Sequence, residues 1–276
     1  MSVGSLSIVQ NAEAESTGIA PVTLTIDVAN GQTYSFDRYL RDRAGGDAGS
    51  LSIVKTGPGT QVFSGTNISY TGTTTVQQGT LATGANNSLP DGTAVTVLSG
   101  GTLDIGTYTD TIGSLAGEAG ASVVLGSGAV LRTGNNNTST TFAGVISGDG
   151  SLAKAGSGTM YLTGANSYAG ITTFAAGTVN VATVSNYGVD SSLGNRAADS
   201  GAGNVGLLFQ GGTLQYTGST PQSTDRAIRV STNGGAFIDA SGSNSAATLS
   251  FTRTTASPDF YENGGNRQIT FTGTNT

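Results

Sequence analysis

The sequence predicts an all-β chain wound as a parallel β-solenoid. Three observations predict it: short runs of alternating apolar residues, glycine and asparagine punctuating them, and an internal repeat of long period. The runs include Val22-Thr23-Leu24-Thr25-Ile26, Val95-Thr96-Val97-Leu98, Val123-Val124-Leu125 and Val179-Asn180-Val181. β-Branched residues at period two, bounded by Gly and Asn, signal half-buried strands. No window holds helical periodicity over three turns. Charged residues make up only 10% of the 276, with 44 glycines, a balance that by itself resembles low-complexity sequence. The ordered alternation of the apolar residues argues for a folded chain instead.

The repeat fixes the architecture. Residues 55–67 read Lys-Thr-Gly-Pro-Gly-Thr-Gln-Val-Phe-Ser-Gly-Thr-Asn, followed by Ser69-Tyr70-Thr71-Gly72 and Gly79-Thr80-Leu81. Residues 154–166 read Lys-Ala-Gly-Ser-Gly-Thr-Met-Tyr-Leu-Thr-Gly-Ala-Asn, followed by Ser167-Tyr168-Ala169-Gly170 and Gly177-Thr178-Val179. The copies lie 99 positions apart and differ by one inserted residue, Ile68. Similarity returns at Ser88-Leu89 with Ser192-Leu193, and at Gly100-Gly101-Thr102-Leu103 with Gly211-Gly212-Thr213-Leu214. Residues 268–276 restart the element found at Gln61, so the reading is a fragment of a longer chain.

In a solenoid each strand stacks on its equivalent about 4.8 Å away. Alternating Val, Leu, Ile and Phe then fill the interior, Thr and Ser face outward, and Gly and Asn take the corners that need positive φ. At roughly 20–25 residues per rung the chain makes about 11–13 rungs, a rod roughly 50–60 Å long. A β-sandwich is the competing fold, but it rarely repeats Gly-Thr-Leu turn-and-strand units. The expected division is an N-terminal cap or divergent first rungs over 1–49, then a solenoid over 50–276. Its super-repeat covers 50–150 and 151–267, with a third copy opening at 268–276.

These residues resemble the autotransporter-associated β-strand repeat of large bacterial surface proteins. The family pattern, Leu-x-Lys-x-Gly-x-Gly-Thr-Leu-x-Leu-Ser-Gly-x-Asn-x-Tyr-x-Gly and then Gly-Thr-Leu, is matched from Ile53 to Leu81 and from Leu152 to Val179. The resemblance covers roughly residues 50–276. It implies a right-handed parallel β-helix, exported and displayed at the bacterial cell surface. It also implies partners on a host or neighbouring cell, in matrix or among glycans.

Composition narrows function. Net charge is −6, and phosphate binding needs clustered Lys and Arg, so nucleic acid is not an expected partner. No apolar run reaches the 18 residues of a membrane helix, so this segment is not expected to insert into a membrane. His 0 and Cys 0 remove Ser-His-Asp and Cys-His machinery and thiolate metal sites. No cofactor and no metal is expected. The acids Asp91, Asp104, Asp110, Glu118, Asp149, Asp190, Asp199, Asp239, Asp259 and Glu262 read as solvated turn and edge residues. Asp104 and Asp110 are close enough in sequence to share a face as a glycosidase-like pair. Gly45-Gly46-Asp47 and Gly148-Asp149-Gly150 are too isolated for a calcium repeat.

The expected structural positions are repeat-equivalent pairs. Lys55 and Lys154 read as turn lysines that blunt an edge. Tyr70 and Tyr168 read as packed corner residues, and Asn67 and Asn166 as turn residues. Gly79 and Gly177 open the following strands. The charged stretch Asp37, Arg38, Arg41, Asp42 and Arg43 holds three of the 11 basic residues. It reads as a polar cap, formed as a short helix or loop over the first rung, or as a docking surface. The functional expectation is a non-enzymatic adhesive or structural rod. A self-assembling fibre subunit, associating head to tail or laterally, and a polysaccharide-active β-helix are the alternatives.

Overall fold

The structure is a computed structural model. It describes residues 14–15, 21–42, 49–65, 67–197, 205–231, 234–253 and 268–274. Among these residues every regular element is a strand, and every strand pairing is parallel.

Alternation in sequence becomes alternation in burial. Leu51–Thr56 runs buried, half-buried, buried through all six positions. Three long sheets result, beside two of only two strands each, and the chain visits the long ones in turn. The long face stacks 11 strands, from Val22–Asp27 through Leu51–Thr56, Thr74–Val76, Ala94–Val97 and onward to Ile269–Thr272. The second face stacks six, from Thr33–Phe36 to Val145–Ser147. The third stacks six, from Thr109–Ile112 to Ile228–Val230. Each circuit of the three faces is one coil, and the fold is a parallel β-helix. Ten steps along the long face at the ordinary strand spacing give a stack roughly 50 Å long.

The interior is a set of continuous columns. Along the long face one column runs Ile53, Thr74, Val95, and after the middle coils Met160, Val179, Leu214 and Ile238. On the third face Lys154, Phe174, Phe209 and Val230 share a column. The rings of Phe174 and Phe209 stack there, with centroids 4.4 Å apart and planes 11° from parallel. Stacking like on like lets each coil bury its apolar stripe against its neighbour, which no single coil can do alone.

Coil length varies more than the expected 20–25 residues. Met160 pairs with Val179, 19 positions on, whereas Val179 pairs with Leu214, 35 positions on. The extra residues fall between Val181 and Leu207 in the sequence, and the ladders continue in register on either side. Insertions at a corner disturb no column, because only the strands carry the stacking contacts.

The N-terminal charged stretch does not form a helix. Leu40–Arg41 is a strand inside the stack, paired with Ala14–Glu15 on one side and bridged to Ile68 on the other. Asp42 joins coils: its carboxylate accepts the Leu51 amide at 2.6 Å, the Thr71 amide at 3.1 Å and the Thr71 hydroxyl at 2.5 Å. Arg38 pairs with Asp37 at 3.6 Å on the surface. Arg41 lies 5.2 Å above the Tyr39 ring. Arg43 lies outside the described residues, as do Asp199, Asp259, Glu262 and Gly45-Gly46-Asp47.

Candidate functional site: the repeat corners

The two repeat copies build the same local structure on different faces. In the first, Leu51–Thr56 lies on the long face and Thr60–Phe63 on the second. The Tyr70 turn follows, then Thr74–Val76 and Gly79–Thr83 return to the long and second faces. In the second copy Ser151–Lys154 lies on the third face and Thr159–Leu162 on the long face. Thr172–Phe174 and Thr178–Val181 return to those two. Every element has moved by one face. The 99-residue spacing is therefore four coils and two faces, not a whole number of rungs.

Within each copy the contacts repeat. Lys55 and Lys154 occupy interior columns, where Lys55 pairs in register with Ile26 and Val76. Both are essentially unexposed, at 0% and 2%. The reading of these lysines as edge-blunting surface residues is thus overturned: their stems fill the column. Lys55 Nζ donates to the carbonyls of Thr56, Gly57 and Gln78. Lys154 Nζ donates to those of Ala155 and Gly156. Burial pulls both ammonium groups down to about 8, with Asp27 working the other way on Lys55. The lysine ties the carbonyls of its corner together.

Gly79 and Gly177 show why this corner needs glycine. Their φ values are +66° and +62°. A Cβ on Gly79 would meet the Gly57 and Gly59 carbonyl oxygens at 2.4 and 2.5 Å. On Gly177 it would meet those of Gly156 and Gly158 at the same two distances. Tyr70 and Tyr168 are fully buried, and each hydroxyl bonds the threonine four residues on, Thr74 at 2.5 Å and Thr172 at 2.6 Å. Burial raises both phenols.

The copies diverge at asparagine. Asn166 is buried, accepts the Ile146 amide at 2.8 Å and donates to the Ser192 carbonyl at 2.8 Å. Asn67 is exposed. The inserted Ile68 takes the inward place instead, 6% exposed, and pushes Asn67 out.

Two further residues close these corners, and sequence reasoning did not single them out for this role. Above Ser88-Leu89 lies Asp110, whose Oδ2 accepts their amides at 2.9 and 3.2 Å. Above Ser192-Leu193 lies Arg226, which donates to the carbonyls of Leu193, Gly194 and Val189. One copy is closed by a buried acid reading N–H groups, the other by a buried guanidinium reading carbonyls. Both side chains are buried, at 0% and 2%, so Asp110 is not a solvated turn residue. Nor does it share a face with Asp104. Asp104 is on the second face and accepts the Gly106 amide, while Asp110 is on the third and points inward. Among the described residues no group of three or more Asp and Glu is placed to hold a metal ion.

Comparison with known proteins places these features. A family model described as the Passenger-associated-transport-repeat matches residues 53–82 and 152–181, the two copies described above. Over 232 residues, 83% of the chain, the sequence is 34% identical to the Adhesin BmaC autotransporter of Brucella suis biovar 1 (strain 1330). The match covers 6% of that protein, so the chain spans a small part of the relative's length.

Proposed function

We propose that this chain is an extracellular, passenger-type repeat segment of the autotransporter class and serves as a rigid adhesive rod with no catalytic role. The observation that supports this most is the unbroken long face. Eleven parallel strands in register give reach and lateral surface without concentrating chemistry in one pocket. One groove, about 340 Å³ and open to solvent, is lined by Ile68, Tyr70, Asn87, Leu89 and Pro90 among others. Most of the described carboxylates are spread over separate faces and corners, where they cap backbone amides, as Asp42, Asp104 and Asp110 do.

Its relative is named an adhesin, and adhesion is the activity we carry over to this segment. The surface partner is host cell, matrix or glycan, met side-on by the outward Thr, Asn and Gln ladders. The long face supplies one such ladder, in which the covered Asn180 donates to the half-exposed Gln215 at 2.7 Å and Gln215 to the half-exposed Asp239 at 2.8 Å. Beads coated with the purified segment should attach to cell layers or matrix above the level of albumin-coated beads. Attachment no better than albumin would refute the adhesive role. Solution scattering should show an elongated particle, and a spherical profile would refute the rod.

A further inference from the structure

Asp110 sits where the fold calls for an apolar residue. Its column on the third face continues through Leu131, Leu152, Thr172, Leu207 and Ile228. The side chain is 0% exposed. One carboxyl oxygen holds the amides of Ser88 and Leu89. The other, Oδ1, is buried and meets no donor. An unpaired carboxylate oxygen in apolar surroundings strongly disfavours the charged form.

The surroundings do little to relieve it. On the corner itself the nearby titratable group is Asp91, which has the same sign. Beneath lies the Tyr70 phenol, kept neutral by burial and bonded to Thr74, whose hydroxyl lies 3.0 Å from that of Thr93. Above, the register partner is Leu131. The equivalent corner of the second copy is closed by Arg226, which stays charged at every ordinary pH.

We propose that Asp110 makes the 85–92 corner a proton-gated latch, closed while the carboxyl is protonated and loosened as it ionises. Burial pushes this carboxyl up to about 7 from an ordinary 3.8, against the lowering pull of the Ser88, Leu89 and Thr111 amides. A raised acid value in the closed state means the closed corner binds the proton and the open corner releases it. Closure is therefore strongest below about pH 4 and weakens as pH rises through about 7. The loosened segment carries Leu89 and Pro90, one wall of the groove it shares with Ile68 and Tyr70. A move from acid to neutral surroundings would thus widen that groove while the second copy's corner stayed shut.

Hydrogen exchange read at single amides tests this in the wild-type chain, with rates corrected for intrinsic pH dependence. Protection at Ser88 and Leu89 should fall about tenfold per pH unit, roughly 50-fold in all from pH 5 to pH 7. Protection at Leu193 and Gly194 should stay level. Asp110→Asn keeps an acceptor for both amides and removes the charge, so its Ser88 and Leu89 protection should not change with pH. A wild-type Ser88 response no larger than that of Leu193 would overturn the latch, whether or not the variant folds. A full pH response persisting in Asp110→Asn would overturn the assignment to this carboxyl.

Discussion

Substituting alanine at two glycines separates the cost of a left-handed backbone from the cost of stacking. Gly100 has φ +86° and open space where a Cβ would go. Gly177 has φ +62°, and its Cβ would meet two backbone oxygens at 2.4 and 2.5 Å. Alanine in the left-handed region costs about 1–2 kcal/mol. The loss of unfolded-state freedom offsets about 0.4–1 kcal/mol of that. Gly100→Ala should therefore lose about 1 kcal/mol. Gly177→Ala adds a clash with backbone that cannot rotate away, and overpacking of this kind costs about 1–3 kcal/mol more. Its total loss should be about 2–4 kcal/mol.

Gly79→Ala is an internal replicate, because the same contacts recur one face round the helix. It should match Gly177→Ala within about 0.5 kcal/mol, the usual agreement for independent sites. Urea denaturation at fixed pH gives all three values, with unchanged slope confirming that stability alone has moved. Equal losses at Gly100 and Gly177 would refute the claim that the repeat glycines exist for close approach between coils. A harmless Gly79→Ala beside a damaging Gly177→Ala would refute the equivalence of the two corners.

The remaining predictions concern the buried polar groups. Tyr168→Phe removes the hydroxyl bonded to Thr172 and should cost about 1 kcal/mol, read from the denaturation midpoint. Lys154→Met should cost about 1–3 kcal/mol near neutral pH, because the Ala155 and Gly156 carbonyls lose their donor while the column keeps its filling. The lysines also set an alkaline signature. Their folded values lie near 8, below the ordinary 10.5, so the unfolded chain holds the proton more tightly. Wild-type stability should rise between about pH 8 and 10.5, and thermal melts of a Lys55→Met, Lys154→Met double variant should lack that rise.

Much of this fold is legible in the sequence because its physics is local and periodic. The run Leu51-Ser52-Ile53-Val54 announces which side chains point inward, and the structure buries Leu51 and Ile53 accordingly. The pairing of Lys55 with Lys154 is equally plain in the letters. What the letters hide is depth. A lysine beside glycines looks like a surface turn, and only the interior register, with Ile26 below and Val76 above, shows it to be a core residue with its charge led out to corner carbonyls. Asp110 and Arg226 are hidden for a different reason. Each closes a corner 21 or more residues earlier in the chain, and variable coil lengths leave no fixed spacing by which to find them.

The same variable spacing accounts for how one repeat can stand on different faces. Its defining contacts are internal or made to its own next coil: lysine to corner carbonyls, tyrosine to the threonine four residues on, glycine against the glycine carbonyls one coil below. None of them requires a particular neighbour further along the stack. Lys55 lies between Ile26 and Val76, whereas Lys154 lies between Thr133 and Phe174. Any aliphatic, hydroxyl or aromatic neighbour that fills the column will do. A two-coil module of this kind can recur after any number of faces. Here four coils and two faces carry it one third of a turn round the helix and roughly 22 Å along it. A partner that grips the first Tyr70 corner side-on cannot reach the equivalent Tyr168 corner from the same direction. Repetition in this rod therefore multiplies the directions of display more than the contacts available to one partner, which suits a spacer that must present itself to a crowded surface from any side.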